Sequence, residues 1–236
     1  CLGTGIRCEP ADTVITTMNQ CFLVGDVTVS QSGKQKTVPR GECVLDGVEW
    51  VYHDGVAYVF PGGERVYIAN GPRSGTWWDI NHTLSKDTVT RDVFTLWADH
   101  GKSPSNARYA YIVAPTRALP DIPKFAVSPM ADILSNEPGL QAVRHRTAGV
   151  TGIAFYAPGR LVIEKDTVIE ADKPCLLLLR ETPERLEITA SNPANVGMRL
   201  TVRIGNPAVP AAYKAVVFDL PEGFDAGKSI TRMVER

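Results

Sequence analysis

The residues with the most chemistry in their types and spacing are Arg73, Trp77 and Trp78. Neighbours on a strand point to opposite faces. One indole of the pair then joins a core while the other faces outward. An outward indole is a flat amphipathic surface that suits the apolar face of a sugar ring, and Arg73 just before it suits an anionic group. The other reading packs both indoles under loops. Arg7, Arg40, Arg108, Arg144 and Arg146 are further cations in no specific pattern.

Other chemistries find less support. There is no G-x-S-x-G elbow for a nucleophilic serine, no P-loop and no dinucleotide glycine pattern. His53, His82, His100 and His145 lie in four separate contexts, so no metal-ligand spacing appears. His53 and His100 each flank a turn glycine and read as turn or surface groups. Asn81-His82-Thr83 is a formal glycosylation sequon. Arg144-His145-Arg146 reads as a solvated basic edge. Glu181 and Glu184 are spaced for a turn, and acid/base work would need one of them in a cleft. Cys1, Cys8, Cys21, Cys43 and Cys175 contain no C-x-x-C pair. They read as free, buried thiols, with one or two disulfides before residue 44 as the alternative. No catalytic residue, metal set or cofactor motif emerges.

These residues sit on a chain of 236 with a formal net charge of −1, which excludes a strongly basic nucleic-acid binder. No apolar run reaches the ~20 residues that span a bilayer. Twenty glycines and seventeen prolines, about 16 % of the chain against a usual ~12 %, punctuate it into short elements. Val48–Tyr52, His53-Asp54-Gly55 and Val56–Phe60 read as a hairpin, because Asp-Gly supplies the positive φ angles of a tight turn. Strands follow at 64–69, bounded by Pro61-Gly62-Gly63 and Asn70-Gly71-Pro72, then at 89–99 and 109–113. Residues 116–129, with Pro120, Pro123 and Pro129, read as a linker. One helical turn is expected at 131–134. Short strands then recur at 141–145, 152–157, 160–164, 167–171, 175–180, 186–190, 198–204 and 215–219. Turn signals separate them, Thr182-Pro183 among others. This density leaves no room for helices and predicts an antiparallel sandwich.

One ordered set of motifs goes beyond β texture. Gly75-Thr76-Trp77-Trp78-Asp79-Ile80-Asn81 leads into Val93-Phe94-Thr95-Leu96-Trp97-Ala98-Asp99-His100-Gly101, then Pro104, Asn106 and Tyr109-Ala110-Tyr111-Ile112-Val113-Ala114-Pro115. Cys1-Leu2-Gly3-Thr4-Gly5-Ile6 with Thr16-Thr17-Met18-Asn19-Gln20 precedes them. Ile133-Leu134-Ser135-Asn136 with Gln141-Ala142-Val143-Arg144-His145 follows. In this order they resemble the β-domains of polysaccharide lyase family 8, the hyaluronate, chondroitin AC and xanthan lyases. The resemblance covers nearly the whole chain.

The resemblance implies an all-β fold in two domains. Residues 1–117 would be the remainder of a large antiparallel β-sandwich, the galactose-mutarotase-like central domain of these lyases. Residues 118–236 would be a linker and a smaller C-terminal β-sandwich. The implied parent is a secreted or periplasmic enzyme that cleaves uronate-containing polysaccharide by β-elimination, without nucleic-acid or membrane partners. In the family the eliminating Asn, His, Tyr and Arg belong to an α/α toroid that precedes the β-domains. No stretch here resembles the toroid, so no catalytic residue is carried over, and the chain reads as a fragment whose partner domain is that toroid. The expected role is to support the cleft and contact an acidic polymer through Arg73, Trp77 and Trp78. A stand-alone carbohydrate-binding or adhesion module is the alternative, and a structural β-protein with chance motifs a third reading.

Overall fold

The computed structural model describes residues 1–9, 12–115, 118–165, 167–182, 184–206, 208–209 and 213–235. Thr116 and Arg117, at the expected domain boundary, and Pro183 in an expected turn lie outside them. The chain divides into two compact units, Cys1–Pro129 and Met130–Arg236.

The first unit holds β1 (Leu2–Ile6), β2 (Thr13–Phe22), β3 (Thr28–Gln31), β4 (Lys34–Thr37), β5 (Gly41–His53), β6 (Val56–Thr76), β7 (Thr88–Lys102), β8 (Ala107–Ala110), β9 (Ile112–Pro115) and a short helix α1 (Ile122–Val127). Its main sheet is antiparallel in the order β2-β7-β6-β5-β3-β4, with β9 also paired to β6, and β1 pairs with β8. The β5–β6 hairpin turns on Asp54 (φ 44°) and Gly55 (φ 77°), the two positive angles that let a two-residue turn match strand twist.

β6 does not stop at Pro61-Gly62-Gly63 or at Asn70-Gly71-Pro72 as the sequence suggests. The ladder jumps from Trp50↔Val59 to Val48↔Glu64, so Pro61 sits in a bulge and costs no ladder bond. Pro72 lies past the last β5 pair, Gly41↔Asn70, where β6 has a single neighbour strand and proline is tolerated.

Alternation along β5 and β6 buries both faces of this sheet. Val51, Tyr58, Phe60, Ile68, Phe94 and Leu96 form one core. Trp50, Ala57, Val59, Ala114 and Ile122 form another on the opposite face. The expected linker is therefore part of the first unit. Its prolines start a 3-10 turn at Leu119–Asp121 and α1, which seats Ile122 against Trp50.

The second unit holds β10 (Ala131–Glu137), β11 (Leu140–His145), β12 (Val150–Phe155), β13 (Gly159–Glu164), β14 (Thr167–Ala171), β15 (Cys175–Glu181), β16 (Arg185–Ser191), β17 (Met198–Gly205), β18 (Lys214–Leu220) and β19 (Ile230–Glu235). Two antiparallel sheets, β10-β11-β12-β15-β16-β19 and β13-β14-β17-β18, enclose one apolar core around Phe155, Ile188, Leu200 and Phe218. Residues 131–134 are strand rather than a helical turn. Ala131 pairs with His145 and Ile133 with Val143, and four residues are too few to nucleate a helix when a partner strand lies alongside.

Candidate functional site

Arg73, Trp77 and Trp78 all lie at the far end of the β6–β7 hairpin. The two tryptophans are not on a strand. Thr76 ends β6 and caps a 3-10 turn, Trp77–Asp79. The Thr76 hydroxyl oxygen accepts the Asp79 N–H at 3.2 Å. The Asp79 carboxylate accepts from the Thr76 N–H at 3.3 Å and from its O–H at 2.7 Å. This reciprocal capping satisfies donors that a helical turn leaves open. Thr76-x-x-Asp79 was the sequence signal for it, outweighed by the strand texture on either side.

The rest of the connection is pinned too. The Trp78 N–H donates to the Ser85 carbonyl at 3.0 Å, and the Asn81 side chain accepts the Thr83 N–H at 3.1 Å. The two indoles thereby part company. Trp78 is half-buried, with the Lys86 ammonium 4.2 Å from its ring centroid and the His82 ring 5.0 Å away. Trp77 stays 54 % exposed, and Ile80 and Leu84 of the same connection are exposed as well. Arg73 is held by Glu42 at 2.5 Å, both partly solvated. The tip thus offers one free indole, while the Arg73 and Lys86 charges already have partners. Lys86 and Leu84 carry no motif, and Ile80, inside the Gly75–Asn81 motif, had no site role assigned to it.

The structure also relocates groups read as surface features. His53 is only 2 % exposed, contrary to its reading as a turn or surface group, because the hairpin aims it inward against Phe94. Its Nε2 accepts the Val24 N–H at 3.1 Å, so the neutral ring carries its proton on Nδ1, 3.8 Å from Cys21 Sγ. Burial lowers the His53 pKa, against a smaller raising effect of Asp54. His100 is half-buried, 2.7 Å from the Thr16 hydroxyl and stacked near Tyr109.

Arg144 is not a solvated edge. It is mostly buried and bridges Glu164 and Glu181, and Arg146 pairs with Asp132. The alternation of β11 explains this, since the chain around Arg144 must turn alternate side chains toward the sheet interface. All five cysteines are free. Cys175 is buried, and burial with nearby Asp172 pushes its thiol up to about 12, a poor nucleophile at neutral pH. Cys1 is exposed. Among the described residues no three His, Cys, Asp or Glu side chains are grouped to hold a metal ion.

Known proteins match this arrangement closely. Residues 1–125 match the family model described as polysaccharide lyase family 8, super-sandwich domain, and residues 132–199 match its C-terminal beta-sandwich domain. Chondroitinase-AC of Pedobacter heparinus is 36 % identical over 82 % of this chain and 27 % of its own length. Xanthan lyase of Bacillus sp. is 29 % identical over 98 % of this chain and 24 % of its own. Hyaluronate lyase of Thermasporomyces composti is 31 % identical over 88 % and 27 %.

Among solved structures, a chondroitinase AC lyase studied as oligosaccharide complexes superposes with a TM-score of 0.90 at 31 % identity. The match covers 98 % of this chain and 34 % of that one. A Paenibacillus xanthan lyase gives 0.77 at 26 % identity, over 86 % and 20 %. The chain spans about a quarter of the length of the curated relatives it matches. By sequence and by fold, it belongs to polysaccharide lyase family 8.

Proposed function

We propose that this chain is the non-catalytic β-rich part of a secreted or periplasmic lyase that degrades uronate-containing polysaccharide, of the glycosaminoglycan or xanthan type, by β-elimination. Its partners are the acidic polymer and a helical toroid domain of the same protein. Removing a proton next to a carboxylate builds negative charge that convergent donors must stabilise. The observation that carries the reading is that both matched regions are β-domains, while the family resemblance assigns the eliminating residues to the toroid. The local contacts of the histidines agree with it. His53 is enclosed, His82 lies against Trp78, His100 engages Thr16, and His145 holds the Ala148 N–H.

Purified chain incubated with hyaluronan, chondroitin and xanthan tests this reading, with unsaturated uronate absorbance as the readout. No turnover is expected, and clear turnover would sink the reading.

The exposed Trp77 favours a second reading, a carbohydrate-binding module that works without an attached lyase. It predicts that the chain binds an acidic oligosaccharide and that Trp77→Ala abolishes binding. Trp78→Ala would act mainly by loosening the tip, because Lys86 and His82 already cover that ring.

A further inference from the structure

The outer face of the six-stranded sheet in the second unit differs from an ordinary solvated sheet face. Cross-strand partners share a face, so Ala154 and Leu176 lie side by side on it with Gln141 and Asn136, and Gly152 lies beside Leu178 and Val143. The alternate residues Ala142, Ile153 and Leu177 fill the core, so this set points outward. Leu176 and Leu178 are 41 % and 44 % exposed. A side chain added at Gly152 would meet nothing within 4 Å, so small residues floor an open trough beside the two leucines.

One end of the trough is organised for hydroxyl recognition. Tyr156 is 58 % exposed, yet its O–H is fixed at 2.9 Å on the Gln141 amide oxygen. The Gln141 amide nitrogen in turn donates to Asn136 at 2.9 Å. A ring exposed in its flank and anchored at its polar tip is pre-set for stacking on a sugar. At the other end Arg180, paired in register with Val150 and opposite Glu187, is exposed and closes no ion pair among the described residues. Four residues along a strand separate the Ala154 row, which carries Gln141, from the Val150 row, and Tyr156 lies two residues further, so Tyr156 and Arg180 stand about 20 Å apart at ~3.3 Å per residue, the reach of a tetrasaccharide.

We infer that this face binds an acidic tetrasaccharide stretch of polysaccharide, with one sugar stacked on Tyr156 and its polar groups on Gln141 and Asn136, and with the carboxylate or sulfate of a sugar further along the chain on Arg180. The inference rests on the reading that the parent enzyme works on acidic polysaccharide, and it adds a polymer contact remote in sequence from the Trp77 tip. The free cation at one end selects an anionic polymer over a neutral one. The trough also explains why Leu176 and Leu178 remain apolar on an outward face.

The test is calorimetric titration of the 236-residue chain with an unsulfated chondroitin tetrasaccharide, and with a neutral cello-tetraose as control. Saturable binding of the acidic ligand is expected, with little for the neutral one. Tyr156→Ala and Arg180→Ala should each weaken it about tenfold, the size of one aromatic or charged contact. Gly152→Val should block it while leaving the unfolding temperature in place, since the added methyls enter open space. Absence of saturable binding, or binding that neither Tyr156→Ala nor Arg180→Ala weakens, would overturn the inference. Neither result bears on the lyase reading, which turnover by the isolated chain would sink and which no binding result touches.

Discussion

The second unit buries only neutral Thr151 and Asn192 beside an apolar core that includes Phe155 and Phe218, whereas the first encloses an ionisable group, His53, with Ser30 and Asn70 among its valines and phenylalanines. The second is built from strands of eight residues or fewer, with register shifts at Ile133/Ser135 and Val162/Glu164. The first runs β5, β6 and β7 for 13, 21 and 15 residues and bends them with register shifts. Regular alternation needs little besides period and turns. A long bulged sheet must bring distant side chains into one core, and polar groups such as His53 come with it. The Asn70 side-chain Oδ1 finds no hydrogen-bond partner among the described residues, a cost that no buried side chain described in the second unit carries except the Arg144 Nε.

Three measurements can break or sharpen this contrast. The largest effect is expected from cavities. Phe94→Ala and Phe218→Ala each delete a fully buried ring and should cost about 3–5 kcal/mol. If the units unfold separately, each substitution lowers only its own transition in a denaturant or calorimetric scan. A single shared transition shifted equally by both would show that the units fold as one, and the contrast would lose its energetic meaning.

Acid should act next, and on one side alone. The folded pKa of His53 lies below its unfolded value of about 6.5. Its contribution is therefore fully present above pH 6.5. It declines as pH falls from there, because the unfolded chain takes up a proton that the folded one refuses, and it is gone below the folded value. The first unit should lose thermal stability between pH 7 and pH 5 while the second keeps most of its own. His53→Gln should flatten that slope. An unchanged slope would shift the acid sensitivity to other groups.

The smallest effects compare two arginines. Arg144 is mostly buried between Glu164 and Glu181, so Arg144→Leu should cost about 1–2 kcal/mol. Arg73 and Glu42 are more than half exposed, so Arg73→Ala should cost at most about 1 kcal/mol, and less in salt. Equal losses from both, measured by chemical denaturation, would mean that burial of the Arg144 cluster adds nothing.

How legible each region was follows the same division. Strands 141–220 could be read nearly one by one, since alternation such as that of Val150–Phe155 survives whenever one face is buried and one is wet. Before Val48 the strands escaped notice. β2 is rich in threonine and polar on both faces, and every residue of β4 is exposed, so neither shows the period. β19 shows no clear period for a similar reason, because at the sheet edge Thr231, Arg232 and Met233 are all exposed. At the hairpin tip, the strand geometry expected of Trp77 and Trp78 gives way to a capped turn.

The sequence by itself determined the family, the all-β class and the Asp54-Gly55 hairpin, because motif order, period two and positive-φ turn residues are local properties that survive without neighbours. Only the tertiary structure decided that His53 is a core residue, that Arg73 is engaged by Glu42, that Trp78 lies under Lys86 while Trp77 faces solvent, and that Tyr156, Gln141 and Arg180 share one face with Gly152. Each of those facts depends on which strand lies alongside and which face it covers. The His53–Phe94 and Arg73–Glu42 pairings join residues tens of positions apart, and even the nearer Trp78–Lys86 contact depends on how its connection folds back.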